Sequence, residues 1–304
     1  MDNQTGVRYF LLLEISETQQ LQLLHFFLFF VLYLAITTAN LLIICAVVFH
    51  QQLQRPMYFF LMNLAVQDLG SVSVIVPKSM INSLTNSRHI SYFGCVAQVF
   101  LFVSFLGSNV SILTVMAYDR YVAICNPLQY EMVMNWKACA EIIILVWVTS
   151  LLYGMLHTTG TFSVFFCSNV VNQFFCEVPQ LLKLSCSGFN LVEVGVLVAS
   201  VIAGLGCVAF IIVSYAMIFK AVLRIPSEQG RQKALSTCIP HLTVVLMVLI
   251  TGCFAYLRPP SNTPSYLDFG LTVLYSLLPP LFNPIIYSMR NQNIRFVLSK
   301  LWRF

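Results

Sequence analysis

Seven uninterrupted apolar stretches, at roughly 24–49, 57–79, 92–118, 138–160, 191–219, 234–257 and 267–289, leave this 304-residue chain few folds to choose from. Each reaches or exceeds the approximately 20 residues that a helix needs to cross a bilayer. Backbone N–H and C=O groups find no partner in hydrocarbon, so such stretches close their hydrogen bonds internally, as helices. Only 9% of residues are charged, whereas average soluble proteins carry about a quarter. No segment between the stretches is long enough for a separate soluble domain. The expectation is an all-α membrane protein with one domain over 1–304: residues 1–23 outside the membrane, a seven-helix transmembrane bundle over 24–289, and a tail over 290–304.

An odd number of spans puts the termini on opposite sides, and lysine and arginine decide which side is which. Eleven of the 16 basic residues share one side: Arg55, Arg120, Lys137, Lys220, Arg224, Arg231, Lys233, Arg290, Arg295, Lys300 and Arg303. Arg8, Lys78, Arg88, Lys183 and Arg258 lie on or near the other. This predicts an extracellular N-terminus and a cytoplasmic C-terminus, so the net charge of +5 is a topology signal and no nucleic-acid partner is expected. Residues 1–23 lack a basic start followed by a cleavable apolar core, so the first helix is expected to act as its own insertion signal. Asn3-Gln4-Thr5 is a glycosylation sequon on the predicted outer side; Asn109-Val110-Ser111 fits the same pattern inside a membrane segment. In the tail, Ile294, Val297, Leu298, Leu301 and Trp302 recur at helical spacing with Arg295, Lys300 and Arg303 among them. That pattern describes a short amphipathic helix on the inner leaflet.

The ten cysteines sort by compartment. Cys45, Cys125, Cys139, Cys207, Cys238 and Cys253 lie in or at the inner ends of apolar stretches, where free cysteine behaves as a small hydrophobe. Cys95, Cys167, Cys176 and Cys186 lie at the oxidising outer face, and four cysteines permit three pairings. A metal site is the rival, but the outer loop holds no histidine and no zinc-module spacing. Asp68 is an ionisable group in the middle of the second stretch, a functional hypothesis by default. Arg120 is a permanent cation, expensive to bury unless paired, and Asp119 beside it can hold it. Asn283-Pro284 removes one backbone hydrogen bond from the seventh helix, and Tyr287 can change partners as that helix turns.

The chain is similar, from end to end, to olfactory receptors of the rhodopsin-like G-protein-coupled class. The resemblance is carried by Met116-Ala117-Tyr118-Asp119-Arg120-Tyr121-Val122-Ala123-Ile124-Cys125 and by Pro56-Met57-Tyr58-Phe59-Phe60-Leu61. Asn126-Pro127-Leu128-Gln129-Tyr130, Ser214-Tyr215, Lys233-Ala234-Leu235-Ser236-Thr237-Cys238 and Pro280-Leu281-Phe282-Asn283-Pro284-Ile285-Ile286-Tyr287 follow in family order. The outer loop is similar in Phe174-Phe175-Cys176-Glu177-Val178-Pro179 and in Leu181-Leu182-Lys183-Leu184-Ser185-Cys186.

The resemblance implies disulfides Cys95–Cys176 and Cys167–Cys186, although the loop between Cys167 and Cys176 is one residue shorter than the family pattern. It also implies an activation switch of Asp119, Arg120, Tyr121, Tyr215, Asn283, Pro284 and Tyr287. Asn40, Asn109 and Asn283 are expected around Asp68, where related receptors hold sodium or a water cluster; a protonated, hydrogen-bonded acid is the other reading. Most of the family carries glutamate at the position of Asn109. The implied function is an odorant receptor of the plasma membrane, activating a stimulatory olfactory-type heterotrimeric G protein and raising cyclic AMP. Its expected partners are a small volatile odorant, membrane lipid and trafficking chaperones, with no cofactor.

Counting back from Arg120 at roughly 3.6 residues per turn puts Leu106 and Phe102 on its face, four and five turns higher. Their neighbours Val103 and Gly107, with Ala199, Ala203, Thr251, Ala255, Tyr256 and Ser276, complete the expected ligand lining. No acid occurs on the outer half of the third stretch, which argues against an amine ligand, and no lysine between 267 and 289, which argues against a retinal Schiff base. The expected ligand is small, mostly apolar and neutral. A transporter would need repeated halves with broken helices, and an enzyme a cluster of nucleophile, base and orienting group; neither pattern is found.

Overall fold

A computed structural model describes residues 7–13, 18–85, 87–186, 191–256, 266–290 and 294, without the side chains of 191–193, 255, 256, 266, 289 and 290. In chain order the elements are β1 (Tyr9–Leu12), α1 (Gln19–Phe49), α2 (Pro56–Thr85), β2 (His89–Ser91), α3 (Tyr92–Cys125), α4 (Tyr130–Val133) and α5 (Trp136–Phe162). There follow β3 (Val170–Val171), α6 (Val178–Leu182), α7 (Leu191–Leu223), α8 (Glu228–Tyr256) and α9 (Tyr266–Arg290). All but the strands and the short α4 and α6 are long and apolar enough to span a membrane, which makes seven spans. Asn3 and the tail helix expected from the sequence lie outside the described residues, apart from Arg290 at the end of α9 and the buried Ile294.

The helices outrun the apolar stretches that announce them. α1 begins five residues early, on Gln19, and α8 begins six residues early, on Glu228. Helix is the cheapest way to satisfy the backbone in the interface as well as in hydrocarbon. Local sequence sets the starts: Ser91 Oγ accepts from the Gly94 N–H at 3.1 Å to open α3, and Asn135 Oδ1 accepts from the Ala138 N–H at 2.9 Å to open α5. Pro56 sits at the first position of α2, where its missing N–H costs nothing.

The distribution of side chains is that of a bundle solvated by lipid. α7 turns Val201, Ile202, Leu205, Ile212 and Val213 outward, and α5 does the same with Ile144, Leu145, Leu152 and Leu156. Polar groups collect inside: Asn40, Asp68, Ser108, Asp119 and Asn283 are each at most 1% exposed. α3 runs through the centre, packed on α2, α5, α7 and α8, while α9 closes the bundle against α1, α2 and α8. At Gly154 the backbone of α5 comes close enough to α3 that a Cβ would stand 2.8 Å from the Phe100 carbonyl oxygen.

One end carries a feature that the sequence reading lacks. β1, from the N-terminal segment, pairs antiparallel with β2 and parallel with β3, making a three-stranded sheet of order β2-β1-β3. Phe10, Leu12, Ile90 and Val171 bury themselves there with Cys95 and Cys176. Cys95 bonds to Cys176 and Cys167 to Cys186, the pairing that the resemblance implies. The one-residue shortening between Cys167 and Cys176 is accommodated with both bridges formed.

Candidate functional site

Between the sheet end and the middle of the bundle lies a cavity of about 460 Å³, within the range of small-molecule sites. Small residues on α7 and α8 keep it open: a Cβ built on Gly204 or Gly252 would meet nothing within 4 Å. Of the residues expected to line it, Phe102, Leu106, Gly107, Ala203, Thr251 and Ser276 do border it. Val103 does not; one residue along a helix is a turn of about 100°, which carries it into the cluster under the sheet with Val99, Cys95 and Cys176. Ala199 is exposed on the bundle surface, and its neighbour Ser200 turns inward instead. The side chains of Ala255 and Tyr256 lie outside the described residues.

The wall supplied by α5 is missing from the sequence-based lining. Thr149, Ser150 and Tyr153 border the cavity, and the Tyr153 ring packs where a Cβ on Gly107 would lie, 2.9 Å from its Cδ1. Beside Tyr153, His157 donates its Nε2–H to Ser200 Oγ at 2.8 Å, linking α5 to α7. Small residues at 104, 107, 150 and 154 were the available signal, since close helix approach needs them.

The roof is the loop between β3 and α6. Phe175 packs edge-on against Phe102 at 5.0 Å between ring centroids, and Phe174 packs against Phe29 and Phe269. Gln98 ties this loop to α2 through its amide, donating to the Val74 carbonyl of α2 at 3.0 Å and accepting from the Cys176 N–H of the loop at 2.8 Å. Ser79 donates to the Phe174 carbonyl at 3.0 Å. Tyr275, which borders the cavity, donates its phenol proton to Oε1 of Glu177. Glu177 is 7% exposed, and burial pushes its carboxyl up to about 7 from an ordinary 4.5, against the opposing pull of the Tyr275 hydrogen bond and of Lys183.

The cavity floor is the polar network. Asp68 Oδ1 accepts from Asn109 Nδ2 at 3.0 Å, and Oδ2 from Asn283 Nδ2 at 2.9 Å, so three helices meet on one carboxyl group. Both oxygens thus have amide partners, and each keeps a further lone pair. Asn40 Nδ2 donates to the Pro280 carbonyl at 2.9 Å. That carbonyl is the one orphaned because Pro284, four residues on, has no N–H. The asparagine of α1 therefore repairs the break that proline makes in α9.

Three turns further along α3 stands the Arg120 pair. Arg120 Nη2 donates to Asp119 Oδ2 at 2.9 Å, and the Tyr130 hydroxyl donates to Oδ1 at 2.8 Å, with Asp119 fully buried. Burial and the adjacent Asp119 carboxylate push the Tyr130 hydroxyl above the ordinary phenol range, keeping it a donor. Tyr121 stacks with Tyr118 at 6.4 Å. Tyr215 is engaged elsewhere: its hydroxyl lies 2.7 Å from His241 Nδ1, and His241 Nε2 lies 2.9 Å from the Leu113 carbonyl. A carbonyl only accepts, so Nε2 carries the proton of the neutral ring and Tyr215 donates to Nδ1, tying α3, α7 and α8 together. The buried Tyr287 hydroxyl and Asn283 Oδ1 find no protein partner among the described residues.

Comparison with known proteins bears on what this arrangement is. The family model described as "Olfactory receptor" matches residues 29–303. Human olfactory receptor 14I1 is 48% identical over 305 residues, covering 100% of this chain and 97% of the relative. Human olfactory receptor 14A2 is 46% identical over 302 residues, covering 99% and 96% respectively. Among solved structures, squid rhodopsin superposes with a TM-score of 0.77 at 17% identity, covering 94% of this chain and 82% of its own. At that identity the likeness speaks for the fold.

Proposed function

The chain belongs to the olfactory receptor family, a multi-pass membrane protein and no enzyme, and from that premise we propose that it is an odorant receptor of the plasma membrane. Its N-terminus and sheet end face outward and its Arg120 end faces the cytoplasm, as the basic residues require. A small, mostly apolar, neutral volatile ligand occupies the cavity and is held by dispersion and one or two hydrogen bonds. The occupied receptor activates a stimulatory olfactory-type G protein and raises cyclic AMP. Membrane lipid solvates its outer faces, and trafficking chaperones assist its delivery.

The observation that carries this reading is continuity: one helix, α3, borders the cavity at Phe102, Leu106 and Gly107, reaches the Asp68 network at Asn109 and ends on the Arg120 pair. A ligand that binds one arrangement of the surrounding helices better than another biases the equilibrium by that difference in affinity. The movable parts are identifiable. Pro240 interrupts the α8 hydrogen-bond ladder next to His241, so outward rotation of α8 breaks the Tyr215–His241 bond. Freed Tyr215, and Tyr287, whose hydroxyl has no protein partner among the described residues, then have hydroxyls to offer Arg120 once it leaves Asp119, opening a cleft for the G protein. Arg120→Ala is expected to reach the cell surface and lose odorant-driven cyclic AMP when expressed with an olfactory-type G protein. Full retained signalling would remove Arg120 from the switch.

A further inference from the structure

Nine hydroxyl groups among the described residues border the cavity, and where their protons point decides what the cavity can read. A serine or threonine in mid-helix can donate to the carbonyl one turn back. Ser71 donates to the Asp68 carbonyl at 3.0 Å, Ser111 to Gly107 at 2.9 Å and Thr149 to Leu145 at 2.8 Å. Ser200 donates to Val196 at 2.7 Å, Thr251 to Met247 at 2.8 Å and Ser276 to Thr272 at 2.6 Å. Tyr275 gives its proton to Glu177. Seven of the nine are therefore spent as donors within the protein, and one of the two Asn109 amide protons goes to Asp68. A hydroxyl has one proton and two acceptor lone pairs, so each of the seven keeps only acceptor capacity toward a ligand. Ser200 already uses its own in this way, accepting from His157.

We propose that the cavity is an acceptor-lined site selecting neutral ligands that carry an O–H donor, alcohols and phenols, over ethers, ketones and esters of the same carbon skeleton. The proposal rests on the odorant-binding reading above and names its ligand class. An acceptor-only ligand must break one of the seven internal bonds in a low-dielectric site, or reach the second amide proton of Asn109 or the hydroxyls of Ser150 and Tyr153, which make no hydrogen bond among the described residues. Ser150 and Tyr153 belong to α5 and Asn109 to α3, so such a ligand is confined to the side of the cavity where those two helices meet.

The test uses matched pairs on the purified full-length chain in lipid nanodiscs, read as thermal stabilisation against ligand concentration. Octanol is set against heptyl methyl ether and octanone, and ethylphenol against ethylanisole. The donors are expected to stabilise at concentrations about tenfold lower, the worth of one net hydrogen bond. The double variant Thr251→Val, Ser276→Ala, which keeps shape and removes two acceptors, is expected to narrow that gap. Equal or better stabilisation by the ethers and ketones overturns the proposal, and so does a failure of every compound in both series to stabilise the protein. Stabilisation by the donors with no cyclic AMP response in cells leaves the ligand class standing and sinks the odorant-signalling reading instead.

Discussion

The Glu177 carboxyl makes the roof of the cavity sensitive to external pH, and Glu177→Gln isolates the effect. Burial raises the carboxyl from 4.5 to about 7 in the folded protein, so between those values the folded chain holds a proton that the unfolded chain has released. Stability then falls as pH rises through that window, and the contribution is fully present below about 4.5. A shift of about 2.5 units corresponds to about 3 kcal/mol once pH is well above 7. For a chain of this size that amounts to a change in Tm on the order of 5 °C. Glutamine keeps an oxygen for the Tyr275 phenol to donate to and has nothing to titrate. Thermal unfolding of purified wild-type and Glu177→Gln receptor is therefore measured from about pH 4 to pH 8.5. The wild type is expected to lose melting temperature across the range relative to the variant, with most of the divergence between pH 5 and 8. Parallel curves would mean that Glu177 is not buried as described, and the roof would need another anchor.

Tyr130→Phe leaves Asp119 Oδ1 without its donor inside the protein, a cost of about 1–3 kcal/mol to the resting arrangement. Basal cyclic AMP, normalised to surface expression, is expected to rise; an unchanged basal level would take Tyr130 out of the switch. Gly154→Ala puts a Cβ 2.0 Å from Ser104 Oγ and 2.8 Å from the Phe100 carbonyl, so α3 and α5 must separate, at about 1–3 kcal/mol. A lowered melting temperature is expected, with Gly204→Ala, which meets nothing within 4 Å, unaffected; equal behaviour of the two would contradict the close packing.

How much of this was legible in the sequence depends on which physical rule governed each part. The seven helices were legible because hydrocarbon allows a 20-residue apolar stretch no other structure. Asp68 and its asparagines, and the Asp119–Arg120 pair, stood out because ionisable and amide groups are rare where lipid is the solvent. The sheet was not legible. Tyr9–Leu12 is four residues long, and its partners lie about 80 and 160 residues downstream, so no local periodicity marks it. Glu177 escaped for a related reason. A carboxylate in a loop reads as solvated unless the fold of that loop is known, and here the disulfide to Cys95 and the Gln98 amide press it against α9.

The cavity wall is an intermediate case. Counting turns from Arg120 put Phe102, Leu106 and Gly107 on the right face and erred by one residue at Val103, because a helix changes face in a single step. What the count could not supply was the partner helix: α5 enters through the mutual approach at Gly107 and Gly154, a property of two segments some 47 residues apart. Once the face is known, however, the chemistry of the wall returns to the sequence. A serine or threonine more than one turn inside a helix has a carbonyl waiting one turn back, whatever surrounds it. Six of the seven mid-helix serines and threonines found on the cavity, all but Ser150, take that carbonyl and become acceptors without any tertiary contact being specified. The tertiary fold is needed only for the remaining internal donor, Tyr275, whose proton goes to a loop carboxylate 98 residues away. The ligand preference proposed above thus follows mostly from helix geometry, and a receptor of this architecture could reverse it by exchanging these serines and threonines for asparagine or glutamine, whose two amide protons cannot both be absorbed by one backbone carbonyl.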